Sequence, residues 1–197
     1  MPGERVQMDV TKIRPHYYQF TAIDDYSRLR VLRLYPNKKA ENTVQFLSEV
    51  LSGFQFPIQR IQTDWGTEFL NDLFQEELME HFIKFRPIKS RTPHLNGKIE
   101  RSQKTDKAEF YSLLNWKDPH LDLNKCLLEW EYFYNRQRPH ASLKGKTPYE
   151  KYLEVENLIP TQPEVTQAYW YSPPEQIVPR NSKYLQWIKE QRMSHIC

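Results

Sequence analysis

Arg5-Val6-Gln7-Met8-Asp9-Val10 alternates Val6, Met8 and Val10 against Gln7 and Asp9, the period-2 pattern of a half-buried strand. Two further runs follow closely, Tyr17–Asp24 (YYQFTAID) and Leu29–Tyr35 (LRVLRLY), both rich in β-branched and aromatic residues. Asp25 to Arg28 separates these two, a length that suits a hairpin turn. Three adjacent antiparallel strands are the economical reading. The period then changes: Val44, Leu47 and Leu51 fall on one helical face over 40–51, with Gly53 as a stop. A short strand over 58–63, a helix over 71–80 and a strand over 82–85 follow. The order βββαβαβ, followed by helices, predicts an α/β fold, a mixed sheet with crossover helices.

Downstream, residues 86–98 contain Pro, Gly and Asn with several cations and read as a basic loop. Helical patterns return over 98–114 and over 121–134, and Pro139 ends the latter. After Tyr152 five prolines interrupt any long element, which gives a core over 1–152 and a tail over 153–197 that is partly ordered or docks through 184–191. The chain has 197 residues, 39% of them hydrophobic, with 14 Pro against 5 Gly, a balance that excludes a flexible low-complexity protein. Cys126 and Cys197 are too few for a disulfide scaffold or a Cys-rich zinc site. The start lacks the apolar core of a signal peptide, and no run of about eighteen apolar residues occurs. A soluble, cytoplasmic protein, nucleoid-associated in a bacterial host, is the expectation. The net charge of +3 is uninformative by itself; where the cations sit matters more.

Three acids fall where a mixed sheet presents side chains to one cleft: Asp9 at a strand end, Asp64 at the end of another, and Glu100 in the first turn of a helix. In-line attack on a phosphodiester needs charge neutralised, a nucleophile activated and a leaving group stabilised, and two Mg²⁺ ions about 4 Å apart supply all three. Such hard cations take oxygen ligands and keep several waters, so three carboxylates suffice. Yet the chain has 25 acids, and Asp24, Asp25 and Glu68 are nearly as attractive on position alone.

Local motifs separate them. Asp64 stands in Gln62-Thr63-Asp64-Trp65-Gly66-Thr67-Glu68-Phe69, and Glu100 in Pro93-His94-Leu95-Asn96-Gly97-Lys98-Ile99-Glu100-Arg101. Further on come Tyr134-Asn135-Arg136-Gln137-Arg138-Pro139-His140, Leu143 and Thr147-Pro148. With Asp9, this set resembles the DDE integrase core of retroviral integrases and bacterial insertion-sequence transposases, most closely the transposases. The resemblance spans about residues 3–152. It implies an RNase H-like fold, a five-stranded mixed sheet flanked by helices. It also implies Asp9, Asp64 and Glu100 as ligands of two Mg²⁺ or Mn²⁺ ions, and an enzyme that hydrolyses 3′ ends and transfers DNA strands. Many relatives carry Asn where this chain has Trp65, a departure that falls on the substrate pocket rather than on the carboxylate.

Lys104 and Lys107 lie at i+4 and i+7 from Glu100, on its face of the helix, where they would meet DNA. Arg91 and Lys98 flank the same acid as further DNA-contact candidates. Arg136 and Arg138 are either phosphate-gripping or simply cations at a helix C-terminus. Trp65 reads either as a base-stacking residue or, more often for its kind, as packing. The competing functions are a nuclease on the same scaffold and a non-enzymatic DNA-binding descendant. Element ends and target DNA are the expected partners, in a homodimer or higher assembly on DNA. No helix-turn-helix or zinc module precedes the first strand, so end recognition falls to a missing segment, another chain or the tail.

Overall fold

The computed structural model describes residues 1–88 and 97–171. Five strands form one mixed sheet in the order β3-β2-β1-β4-β5. They are β1 (Val6–Arg14), β2 (Tyr17–Asp24), β3 (Arg30–Tyr35), β4 (Arg60–Thr63) and β5 (Lys84–Pro87). The first three run antiparallel; β1, β4 and β5 run parallel. Parallel neighbours need crossovers, and α1 (Ala40–Gly53) and α2 (Asp72–Glu80) supply them. Asn71 caps α2 by accepting from the Phe74 N–H. The β2–β3 turn closes with Arg28 at φ 68.

Alternation divides the sheet into two unlike faces. Val6, Met8, Phe20, Ala22 and Val31 point to one side and are buried against Phe46, Leu47 and Val50 of α1 and Phe74 and Leu78 of α2. That side is an ordinary apolar core. On the other side the buried sheet residues include Gln7, Gln19, Thr21, Arg30 and Gln62. Over them lie α3 (Gly97–Glu109) and α4 (Leu123–Arg136). Helix α4 contributes Leu127, Trp130 and Tyr134 to a smaller cluster with Leu32, Phe110 and Tyr111. Helix α3 is strongly polar: its buried residues are Ile99, Ser102 and Asp106.

This polar attachment is a hydrogen-bonded network in which only Arg30 Nε and Nη2 lack a hydrogen-bond partner among its described members. Arg30 is 0% exposed and pairs with Asp106 at 2.6 Å. It also donates to Ser102 at 2.8 Å and lies 3.3 Å above the Tyr134 ring. The Asp106 carboxylate accepts from Trp130 Nε1 at 2.6 Å and Gln19 Nε2 at 2.8 Å as well. Tyr111 donates in turn to Gln19. A buried charge is tolerated only when paired and hydrogen-bonded, and most of this network meets that condition.

Three expectations need amending. Strand β1 continues to Arg14 through Thr11, Lys12 and Ile13, a stretch whose outward residues are polar. Helix α3 ends at Glu109 rather than 114, and residues 111–113 form a 3₁₀ turn instead. Beyond 152, α5 (Pro148–Leu153) finishes and α6 (Gln162–Tyr171) follows. Pro163 is no obstacle there because it occupies the first turn, where its missing N–H is not needed. Val165 and Tyr169 of α6 are buried, and Phe82 meets the Tyr169 and Trp170 rings edge-on. The expected docking segment over 184–191 lies outside the described residues. Among the described residues no helix is long and apolar enough to cross a membrane.

Candidate active site

Parallel pairing of β1 with β4 sets Gln7 opposite Gln62. Carried on two residues, that register brings Asp9, inside β1, beside Asp64, the first residue after β4, across strands about 4.8 Å apart. The two carboxylates therefore meet because of strand register. Asp9 Oδ1 accepts from the Val10 N–H at 2.8 Å and Oδ2 from Gln103 Nε2 at 2.8 Å. Burial is the main force that pushes the Asp9 carboxyl up to about 6, and the negative charges of Asp64 and Glu68 add to it. The two hydrogen bonds pull the other way but do not win.

Asp64 is exposed and accepts from the Gly66 N–H at 2.9 Å, which bends the chain into the turn after β4. A Cβ on Gly66 would stand 2.8 Å from the Glu68 carboxylate and 2.9 Å from Asp64 Oδ1. The glycine thus sits between two acids, and a side chain there would displace one of the two carboxylates. Glu68 is 7% exposed, and Lys38 Nζ approaches its oxygens at 3.3 and 3.4 Å.

Glu100 occupies the first turn of α3, exposed, with no hydrogen-bond partner among the described residues. Gln103, three residues on and about 4.5 Å further along the helix, is the side chain that reaches Asp9. The structure therefore joins Asp9 and Asp64, adds Glu68 to them, and places Glu100 on the adjoining turn of the helix that covers them. Among the described residues no three His, Cys, Asp or Glu side chains are gathered tightly enough to hold one ion. A divalent metal nonetheless suits the donor set. All donors are carboxylate oxygens, and the charges of Asp64 and Glu68 add to the burial that lifts the Asp9 carboxyl.

The cations sort onto different surfaces. Lys104 and Lys107 are exposed on α3, without ion-pair partners among the described residues. Lys98 instead binds Asp25, 2.6 Å to Oδ1. Arg138 grips Glu109 through two bonds of 2.6 and 2.7 Å and holds that carboxyl below its usual range. Arg136 lies flat over the Tyr149 ring, 3.7 Å from its centre. Arg91 and His94 lie outside the described residues.

Other members of the 134–140 segment are structural. Asn135 caps the edge of β3 by pairing with both the Arg30 N–H and C=O at 3.0 and 2.8 Å. His140 is buried against Tyr134, and burial lowers its pKa to about 4, so it is neutral at pH 7. Trp65 is 42% exposed beside Asp64, so packing does not account for it. Gln103, Glu68 and Lys38 are the site residues that sequence reasoning did not select. For Gln103 the signal was available, since i+3 from Glu100 is the same helix face.

Comparison with known proteins places this geometry. Two models, each described as an integrase core domain, match residues 1–93 and 81–148. A protein of Spiroplasma virus SpV1-C74 named as an integrase (ORF3) is 30% identical over 152 residues. That match covers 68% of this chain and 41% of the relative, so the chain spans about two fifths of that protein's length. The HTLV-2 integrase catalytic core, solved in complex with magnesium, superposes with a TM-score of 0.62 at 22% identity, over 76% of this chain and 95% of that one. The BIV integrase core gives 0.65 at 19% identity, over 79% and 97%. The simian T-cell lymphotropic virus intasome in complex with a PP2A regulatory subunit gives 0.69 at 16% identity, over 93% and 59%. At these identities the solved structures establish the RNase H-like fold.

Proposed function

The chain belongs to the integrase core domain family, and we propose that it is a polynucleotidyl transferase that cuts DNA ends and joins them to target DNA. The observation that carries the reading is the convergence of Asp9 and Asp64 from adjacent parallel strands, under a helix that presents Glu100 one turn away. In this reading Asp9, Asp64 and Glu100 would hold the divalent ions. When bound, such ions would activate a water or a DNA 3′-hydroxyl as nucleophile and offset charge on the phosphate oxygens. The relative from HTLV-2 is described with magnesium, in line with the oxygen-only donor set.

The chain's own residues do the positioning. Gln103 holds Asp9 Oδ2 and so fixes which carboxylate edge faces Asp64. Lys38 balances Glu68, which otherwise adds to the negative charge around Asp64. Lys104 and Lys107 lie beyond Glu100 on the same face and hold the phosphates of the reacting strand. Glu100 must move or change rotamer to close the ligand set, and we assign that step to the arrival of metal and DNA. Two ends must be joined, so the working form is a dimer or higher assembly on DNA.

The test is a nicking and strand-transfer assay on labelled duplex ends, with a branched disintegration substrate included because it demands less end recognition. Mg²⁺- or Mn²⁺-dependent products that vanish in Asp64→Asn and Glu100→Gln are expected. Products that persist in both variants would overturn the assignment. Cleavage without any joining would move the reading to a nuclease on the same scaffold.

A further inference from the structure

A second basic region lies on the side of α3 away from the carboxylates. At about 100° per residue, Lys98, Arg101 and Thr105 share one side of the helix, and Glu100, Gln103, Lys104 and Lys107 the opposite one. The first group lines a cavity of about 360 Å³, walled also by Arg28, Arg138 and Tyr134. A phosphate held here is therefore a different phosphate from the one at Asp9 and Asp64.

Its charge is unbalanced. Among the described residues no acid lines the cavity. The nearby carboxylates are already engaged: Glu109 by Arg138, Asp24 by the Gly3, Tyr26 and Ser27 N–H groups, and Asp25 by three cations at once. Arg5 stands 2.5 Å from Asp25, Lys98 2.6 Å and Arg28 3.7 Å. Even with Asp24 counted beside Asp25, three cations outnumber two carboxylates there. Arg101 adds another, exposed and with no ion-pair partner among the described residues. An adjoining cavity shares Arg28 and Lys98 and is lined also by Arg5 and Arg60, with the acids Glu4 and Asp25 among them. Packing alone does not call for three cations around one carboxylate, because their mutual repulsion opposes it. The arrangement does suit an incoming anion, since Asp25 holds the side chains in place before the ligand arrives. Guanidinium groups in such a cluster bind phosphate bidentately.

We propose that the Arg28–Lys98–Arg101 cavity is a second phosphodiester subsite, which takes a backbone phosphate of duplex DNA beyond the reacting strand. It rests on the DNA-joining reading above and adds a binding surface to it. Duplex DNA then straddles α3, with one phosphate on the Lys104–Lys107 side and another on the Arg101 side.

Salt dependence reads this directly. Each phosphate contact contributes about 0.9 to the slope of log K against log salt, about 8-fold in affinity near 0.1 M. Anisotropy of a fluorescent duplex is measured on the 197-residue chain in EDTA, so that catalysis is absent. Arg101→Ala lowers the slope by about 0.9, and Lys98→Ala with Arg101→Ala by about 1.8, about 60-fold near 0.1 M. Arg101→Lys keeps the slope, and Lys125→Ala, an exposed cation on α4, does not change it. Unchanged slopes in both alanine variants, or an equal loss in Lys125→Ala, overturn the subsite. If wild type still nicks DNA with metal, that failure leaves the parent reading intact. Wild type that neither binds nor nicks duplex overturns both.

Discussion

Replacing Asp9 by Asn should make the metal-free protein more stable, although it removes a residue we place in the active site. Burial, Asp64 and Glu68 lift the Asp9 carboxyl from 3.8 to about 6. One pKa unit is worth about 1.4 kcal/mol, so ionised Asp9 costs the metal-free fold at most roughly 3 kcal/mol. The figure is an upper bound because Asp9 is only half-buried and water screens part of the charge. The sign follows from linkage. For an acid whose folded pKa is raised, the penalty is absent below 3.8, grows as pH climbs to about 6, and is complete above that. Asn carries no charge but gives up one of the two accepted hydrogen bonds, from Val10 or Gln103, at a cost of about 1 kcal/mol.

The net expectation for Asp9→Asn is a gain of about 2 kcal/mol above about pH 7, and no gain near pH 4. In a protein of this size that is a rise in Tm of about 4–8 °C. Urea denaturation in EDTA at both pH values measures it. Added Mg²⁺ should stabilise wild type, which binds it in the folded state, and not the variant. A variant less stable than wild type at neutral pH would refute the electrostatic account. So would a gain that persists unchanged at low pH.

Gly66→Ala puts a methyl group 2.8 Å from Glu68 and 2.9 Å from Asp64, and should reduce metal-dependent nicking at least about 10-fold, since displacing catalytic groups by about 1 Å costs on that order or more; wild-type rates would show that the loop has room. Asp106→Asn leaves the buried Arg30 cation without its counter-charge and should cost about 3–5 kcal/mol, read as a lower urea midpoint, whereas a loss under about 1 kcal/mol would mean that Ser102 and Tyr134 suffice. Trp65→Ala removes an exposed ring beside Asp64 and should weaken binding of single-stranded ends by about 1–3 kcal/mol while leaving duplex affinity unchanged; equal affinities for single strands would dismiss base stacking. Thr147→Ala removes the reciprocal Thr147–Glu150 cap of α5 and should cost about 1 kcal/mol of stability without touching activity, a split that equilibrium unfolding and the nicking assay report separately.

The sheet was legible because its strands alternate and its helices change period. The end of β1 was not, because Thr11 and Lys12 are polar and exposed enough to read as loop. Asp9 was expected at a strand end, but it lies inside β1, whereas Asp64 does follow the last residue of β4. Glu68 was weighed only by position, and sequence does not show that the turn after Asp64 folds it inward to 7% exposure. The cations taught the reverse lesson. Lys98 and Lys104 both read as DNA-contact candidates, yet six residues of helix set them about 120° apart, a separation the sequence already contained.

Helix α3 shows why the polar half of the molecule was harder to read. Its sequence, GKIERSQKTDKAE, offers one apolar anchor, Ile99, so hydrophobic patterning gives it no buried face. It docks instead through Asp106 and Ser102 on Arg30, and through Gln103 on Asp9. Hydrophobic contact is non-directional and tolerates rotation of a helix about its axis. Hydrogen bonds to a buried arginine at 2.6 and 2.8 Å do not, because a small rotation breaks them. Buried pairs of this kind add little net stability but can fix one arrangement against its neighbours. For a helix that must aim Glu100 toward the carboxylates on one side and Arg101 toward a basic cavity on the other, the rotation about its axis is the quantity that matters. The buried Arg30–Asp106 pair constrains that rotation, at the expense of a sequence pattern that reads as surface.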